Sequence, residues 1–123
     1  MEYKGFRDLK VFQLSYQLAL EIFNITKNFP KEELYSLTDQ IRRSSRSVPA
    51  NIAEAWRKRK YPKSFVSKLV DSLGEESETE VRLDFSKDLK YINSEKHKYF
   101  IDKYDEVARM LSAMISNPEK FCF

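Results

Sequence analysis

The chain has 123 residues, 41% of them hydrophobic and 33% charged, with a formal net charge of +3. This is the size and composition of one folded domain spanning residues 1–123, and it excludes a disordered chain. Two glycines, one cysteine (Cys122) and one histidine (His97) exclude a Gly-rich phosphate loop, an internal disulfide, a multi-Cys/His zinc site and a Cys–Cys redox pair.

The spacing predicts a first helix from Asp8 to Asn28. Leu9, Phe12, Tyr16, Ala19, Phe23 and Thr26 recur at three- and four-residue steps, and Leu18, Ile22 and Ile25 widen the stripe. Its apolar patch, Leu18 to Phe23, is broken by Glu21, far short of the roughly 20 apolar residues a membrane span needs. The start, Met1-Glu2-Tyr3-Lys4, has no apolar run behind it, so no signal peptide is expected. With a single thiol, the expected compartment is the cytoplasm.

A second helix is predicted from Lys31 to Lys60, opening after Pro30 with Glu32 and Glu33 at the positive end of its dipole. Leu34, Leu37, Ile41, Val48, Ile52, Ala55 and Trp56 form its apolar face. Pro49 lies inside it and predicts a kink near Ser45 to Val48, or two helices meeting there, with Ser44, Ser45 and Ser47 serving the freed backbone groups. Tyr61-Pro62 separates this from a third helix, Lys63 to Lys90. Phe65, Val66, Leu69, Val70 and Leu73 begin its apolar face and Val81, Leu83, Phe85 and Leu89 resume it. Between them, Gly74 to Glu80 is a poor stretch with four glutamates. Ser94 is the expected N-cap of a fourth helix, Glu95 to Ser116, with Phe100, Tyr104, Val107, Ala108, Leu111 and Ile115 inward and Asn117-Pro118 as its stop. The fold class is therefore all-α, an antiparallel up-and-down four-helix bundle with the second helix kinked near Pro49.

Charge is distributed unevenly. Arg42 to Lys63 holds eight basic residues and one acid, Glu54, while Asp71 to Asp88 holds seven acids and two bases. On a helical wheel, with Arg42 at zero, Arg46 falls at about 40°, Arg57 at about 60°, Arg43 at about 100° and Lys60 near 0°, apart from the apolar arc. Arginine forks bond phosphate oxygens and stay charged, and clustered cations release counterions from a nucleic acid. Arg42, Arg43, Arg46, Arg57, Lys58, Arg59, Lys60 and Lys63 are the candidate nucleic-acid-binding residues. The competing reading is a solvated face whose arginines pair with acids of the third helix. That second reading makes the chain a protein-interaction scaffold, held to a partner or to its own copies by basic and acidic faces.

The same stretch carries a resemblance. Phe6-Arg7-Asp8-Leu9-Lys10-Val11-Phe12, then Phe29-Pro30 through Gln40-Ile41-Arg42-Arg43, then Ser47-Val48-Pro49-Ala50-Asn51-Ile52-Ala53-Glu54 resemble, in order and spacing, the four-helix-bundle proteins encoded by intervening sequences of bacterial large-subunit ribosomal RNA genes. Ala55 and Glu75 stand where that family usually has a glycine and a serine. Leu89-Lys90-Tyr91-Ile92 and Arg109-Met110-Leu111 resemble later blocks. A related branch is the accessory protein of diversity-generating retroelements, a basic pentameric barrel that associates with a reverse transcriptase and nucleic acid. The resemblance implies a homo-oligomeric ring, commonly a pentamer, with nucleic acid and a reverse transcriptase or other protein as partner classes, and no established reaction.

Remaining residues carry less. Asn51 and Glu54 are a partner-contact pair, or else Asn51 serves backbone at the kink and Glu54 balances Arg57 or Lys58. Glu75, Glu76, Glu78 and Glu80 lack the Glu-x-x-His partners of a di-iron bundle, so no metal and no cofactor is expected; an acidic strip facing arginines is the favoured use. His97 reads as exposed, Cys122 sits in a tail either loose or docked, and Trp56 and Tyr61 flank the basic run as core or as base-stacking rings. No nucleophile–base pair is visible, so the expectation is a non-enzyme.

Overall fold

The computed structural model describes residues 3–123. They form four helices, α1 (Lys10–Thr26), α2 (Leu37–Arg57), α3 (Pro62–Asp88) and α4 (Ser94–Ser116), with 3-10 turns at Phe6–Asp8, Lys31–Glu33 and Pro118–Lys120. No strand occurs among the described residues. Each helix packs on its chain neighbours and α4 closes against α1, which is the up-and-down bundle. Among the described residues, no helix is long and apolar enough to cross a membrane.

Helix ends differ from expectation for local reasons. The Phe6–Asp8 turn delays α1 to Lys10, and the carbonyl of Leu9 takes the amide of Gln13. Lys31–Glu33 forms its own turn, so α2 begins only at Leu37. Glu33 holds that start: its carboxylate accepts from Ser36 Oγ at 2.6 Å and from Tyr91 Oη at 2.9 Å. Leu34 is consequently exposed rather than part of the apolar face of α2. Asn93, not Ser94, caps α4, its side chain accepting from the amide of Lys96 at 2.7 Å. Lys90, at φ 66°, occupies the left-handed position that ends α3, with the amides of Tyr91 and Lys90 reaching the carbonyls of Ser86 and Lys87.

α2 continues through Pro49 as one helix, so two helices do not meet there. The serines are not spent on the carbonyl of Ser45 that Pro49 leaves without its usual amide. Ser44, Ser45 and Ser47 donate to the carbonyls of Ile41, Arg42 and Arg43, and Asn51 to that of Ser47. Their small size matters more. Ser72 of α3 donates to the carbonyl of Val48 at 2.8 Å, and the hydroxyls of Thr79 and Ser44 bond at 2.9 Å. The most extensive helix pairing of the bundle, α2 with α3, thus includes hydroxyl-bearing residues bonded across it.

The core is Leu18, Ile22, Ile41, Val48, Ile52, Phe65, Leu69, Leu83, Phe100, Tyr104, Val107 and Leu111 with their neighbours. Two expected stripes are displaced. On α1 the buried arc is Val11, Ser15, Leu18, Ala19, Ile22 and Thr26, while Tyr16 and Phe23 lie outside it. On α3 the polar middle faces inward: Ser72, Glu76, Thr79 and Ser86 are buried, and Val70, Val81, Phe85 and Leu89 face out.

Glu76 is 1% exposed and, among the described residues, its Oε2 has no hydrogen-bond partner; neither has the buried hydroxyl of Tyr104. Burial first, then the bond shared with Glu80 and the charge of Asp105, push the Glu76 carboxyl up to about 9 from an ordinary 4.5. The folded state therefore holds a proton that the unfolded chain releases. Stability is greatest below pH 4.5 on this account and falls as pH rises toward 9. Glu76→Gln removes that penalty. Thermal melts are expected to show the variant more stable at pH 8, by about 5 °C or more, with the gap closing at pH 4.

Candidate functional site

The basic residues of α2 do not act as one face. They divide according to which element receives them. Arg42 leans over α1: its Nε donates to Thr26 Oγ1 at 2.8 Å, and its guanidinium carbon lies 4.6 Å from the centre of the Phe23 ring. Thr26 in turn donates to the carbonyl of Ile22 at 2.8 Å. This relay fixes the arginine without neutralising it. Arg46, one turn on, lies 5.7 Å from the same ring, and Lys27 from the end of α1 lies 5.1 Å from it. Three cations thus surround one half-exposed phenylalanine. The ring's negative face holds them together against their mutual repulsion.

A second group lies further along α2. Arg57 stands 5.9 Å from the Phe6 ring, and Arg7, from the turn before α1, stands 4.5 Å from it. Arg46 and Arg57 are eleven residues apart, roughly 16 Å along the helix. Among the described residues, Arg42, Arg46 and Arg57 form no ion pair. Pairing of these arginines with acids of α3, the competing expectation, does not occur among those residues.

The other predicted members go elsewhere. Arg43 points along its own helix to Asp39, 3.7 Å away, and its charge reaches Glu75 of α3. Lys58 pairs with Glu54 at 3.5 Å. Arg59 turns back: its Nε donates to the carbonyl of Trp56 at 2.8 Å, and its guanidinium lies 3.6 Å over the Trp56 ring and 5.0 Å from that of Phe123. α2 ends at Arg57, so Lys60 and Lys63 leave its wheel altogether. Lys60 is exposed beside Tyr61, and Lys63 is exposed in the first turn of α3.

Glu54 also binds Lys68 of α3 at 3.2 Å, and that lysine, more than Lys58, holds its carboxyl below the usual range. Arg57 takes no part in that pairing. Trp56 is buried, so it is no base-stacking platform; Tyr61 is exposed. His97 is not free: its Nε2 donates to Asp84 Oδ1 at 2.7 Å. The tail is docked, with Phe121 stacked on Tyr3 and Phe65. Burial pushes the half-buried Cys122 thiol up, away from reactivity. Glu76 leaves the acidic strip for the core, while Glu78 pairs with Arg82 at 3.5 Å. No cluster of three or more metal-ligating side chains occurs among the described residues.

The family of 23S rRNA-intervening sequence proteins matches this chain over residues 7–113. The chain belongs to that family. A crystal structure of a protein of unknown function from the S23 ribosomal protein family of Bacteroides thetaiotaomicron is similar to it, with 30% identity and a TM-score of 0.78, covering 86% of this chain and 95% of that one. No curated protein matches. Membership in the 23S rRNA-intervening sequence proteins thus comes with a shared fold, and the similar crystal structure is of a protein whose function is unknown.

Both cation groups lie within the span matched to the family, whereas the Phe121–Phe123 tail lies beyond it. Sequence reasoning missed Arg7 and Lys27, which complete the two groups. Arg7 sits inside the opening motif, and Lys27 follows Phe23 by one helical turn; a wheel drawn for α1 and α2 together would have found Lys27. Arg59 serves as a clasp for the tail. Arg59→Ala is expected to cost about 1 kcal/mol and to raise amide exchange at residues 121–123, as read by mass spectrometry.

Proposed function

We propose that this chain is a non-enzymatic nucleic-acid-binding protein. It contacts backbone phosphates through Arg42, Arg46 and Lys27 around Phe23, and through Arg57 and Arg7 around Phe6. Copies of it assemble into a ring, a pentamer on the family resemblance, and serve in the cytoplasm as an accessory to a nucleic-acid-processing partner such as a reverse transcriptase. The observation that carries this is that Arg42, Arg46 and Arg57 lie beside aromatic rings, Arg42 also bonded to Thr26, and that none of the three pairs with an acid among the described residues. Arginines that only solvate a helix gain from nearby carboxylates; these are held on aromatic rings with their charge unspent, the arrangement phosphate oxygens complete.

The scaffold reading is favoured by a separate observation. Val70, Val81 and Phe85 of α3 are exposed in a line edged by Asp71, Glu75, Glu78 and Asp84. That apolar, acidic edge fits a basic partner surface, whether a second copy or another protein. Phe85→Glu is expected to lower the mass of the assembly in sedimentation without loss of helicity. An unchanged mass removes α3 from the subunit contact.

The phosphate reading is tested by binding a labelled structured RNA and a matched duplex DNA across a salt series. The expected result is a steep fall in affinity with salt. Arg46→Glu combined with Arg57→Glu is expected to weaken binding by about tenfold or more at low salt and to flatten the logarithmic salt slope by roughly two. Arg43→Glu, whose side chain lies with Asp39, is expected to do much less. Binding indifferent to the double variant sinks the assignment.

A further inference from the structure

The displaced stripe of α1 lies between the two cation groups. Phe6 packs edge-on against Phe12 with centroids 5.0 Å apart, and Phe12 stacks with Tyr16 at 5.8 Å and an interplanar angle of 28°. Tyr16 is 53% exposed, Leu20 48% and Phe23 37%. The outward face of α1 is thus a run of rings and one leucine, from Arg7 and Arg57 at one end to Arg42, Arg46 and Lys27 at the other. Tyr16, Ala19, Leu20 and Phe23 line a shallow groove closed on its far side by Arg46 and Pro49 of α2.

A double helix uses only the ends of this arrangement. Its bases are paired and stacked within, and its phosphates meet cations while the rings between face nothing. A single strand uses all of it, with phosphates on the arginines and unstacked bases on the aromatic faces. One face of Tyr16 is occupied by Phe12 while about half of the residue stays exposed, and the guanidinium of Arg42 over Phe23 offers a planar cation for a base to stack on. The cations carry the charge complementarity that commits this apolar face to a polyanion.

We infer that the α1–α2 face is a site for single-stranded nucleic acid, in which Tyr16 stacks on a base between two phosphate-binding arginine groups. The inference rests on the phosphate reading above and narrows its ligand. Tyr16 is exposed and outside the core cluster, so its replacement is expected to leave the bundle intact, which circular dichroism verifies.

The experiment uses a fluorescein-labelled polypyrimidine single strand and the duplex it forms with its complement, each titrated with the full chain by anisotropy across a salt series. The native chain is expected to bind the single strand more tightly than the duplex. Tyr16→Ala is expected to weaken single-strand binding by about fivefold to a hundredfold, with the salt slope and the duplex affinity unchanged, because no charge is removed. Tyr16→Phe restores the affinity. If the native chain binds both probes and Tyr16→Ala changes neither, stacking is overturned while the phosphate reading stands. If the native chain binds neither probe at low salt, the phosphate reading itself falls and this one with it. If Tyr16→Ala lowers the assembly mass in sedimentation, a second copy covers the stripe and the inference is overturned.

Discussion

The seam between α2 and α3 is the constraint from which the rest follows. Ser44 and Val48 on one helix meet Thr79 and Ser72 on the other, whose hydroxyls bond across to the Ser44 hydroxyl at 2.9 Å and the Val48 carbonyl at 2.8 Å. Small side chains let the axes approach, and the cross-bonds fix both rotation and register. Once α2 turns its serine and valine edge to α3, its arginines at 42, 46 and 57 have only the α1 side and solvent to occupy. They find Phe23 and Phe6 there. The basic surface is therefore a product of how the core closes on the opposite side of the same helix.

That closure has a cost carried by α3. Its central turns place Ser72, Glu76 and Thr79 inward, and two of the three find partners on α2. Glu76 does not, and lies in the same electrostatic environment as the unpartnered hydroxyl of Tyr104. Burial and the charge of Glu76 push that phenol well above its ordinary value. The apolar cluster on either side, from Phe65 and Leu69 to Leu83 and Phe100, outweighs this polar belt. Specific polar contacts at the waist and apolar packing on either side give a bundle with one register.

How much was legible depended on whether a residue's fate was settled within its own helix. Helix number, order and most core positions follow from spacing, and the conjunction of opening, proline and Asn-Ile-Ala-Glu blocks marks the family. The rotation of α1 was not legible, because Leu9, Phe12, Tyr16 and Phe23 form as good a stripe as Val11, Leu18 and Ile22; only contact with both α2 and α4 selects between them. The inward face of α3 was hidden because its middle looks polar, and the groups that satisfy it, the Val48 carbonyl and the Ser44 hydroxyl, belong to a helix about thirty residues earlier. Among the candidate site residues, Arg42 and Arg46 share the Phe23 ring, while Arg57, further along the same helix, goes to Phe6. Arg59 did not, since α2 ends at Arg57 and an indole ring lay within reach. Arg7 and Lys27 sit beside Phe6 and Phe23 through local contacts, and only tertiary packing brings the α2 arginines to the same two rings.

The chain's single tryptophan lies under that same Arg59, edge-on to Tyr3 at 5.8 Å, at the end of the bundle where the tail docks. Its indole is therefore an intrinsic optical reporter of one place only. Excited at the red edge of the band, its emission follows the undocking of the tail and the fraying of the last turn of α2. Lys27, Arg42 and Arg46 gather at the opposite end of α1, so events there are silent to this fluorophore. A spectrum that shifts on adding a partner thus places that partner at the tail end of the bundle.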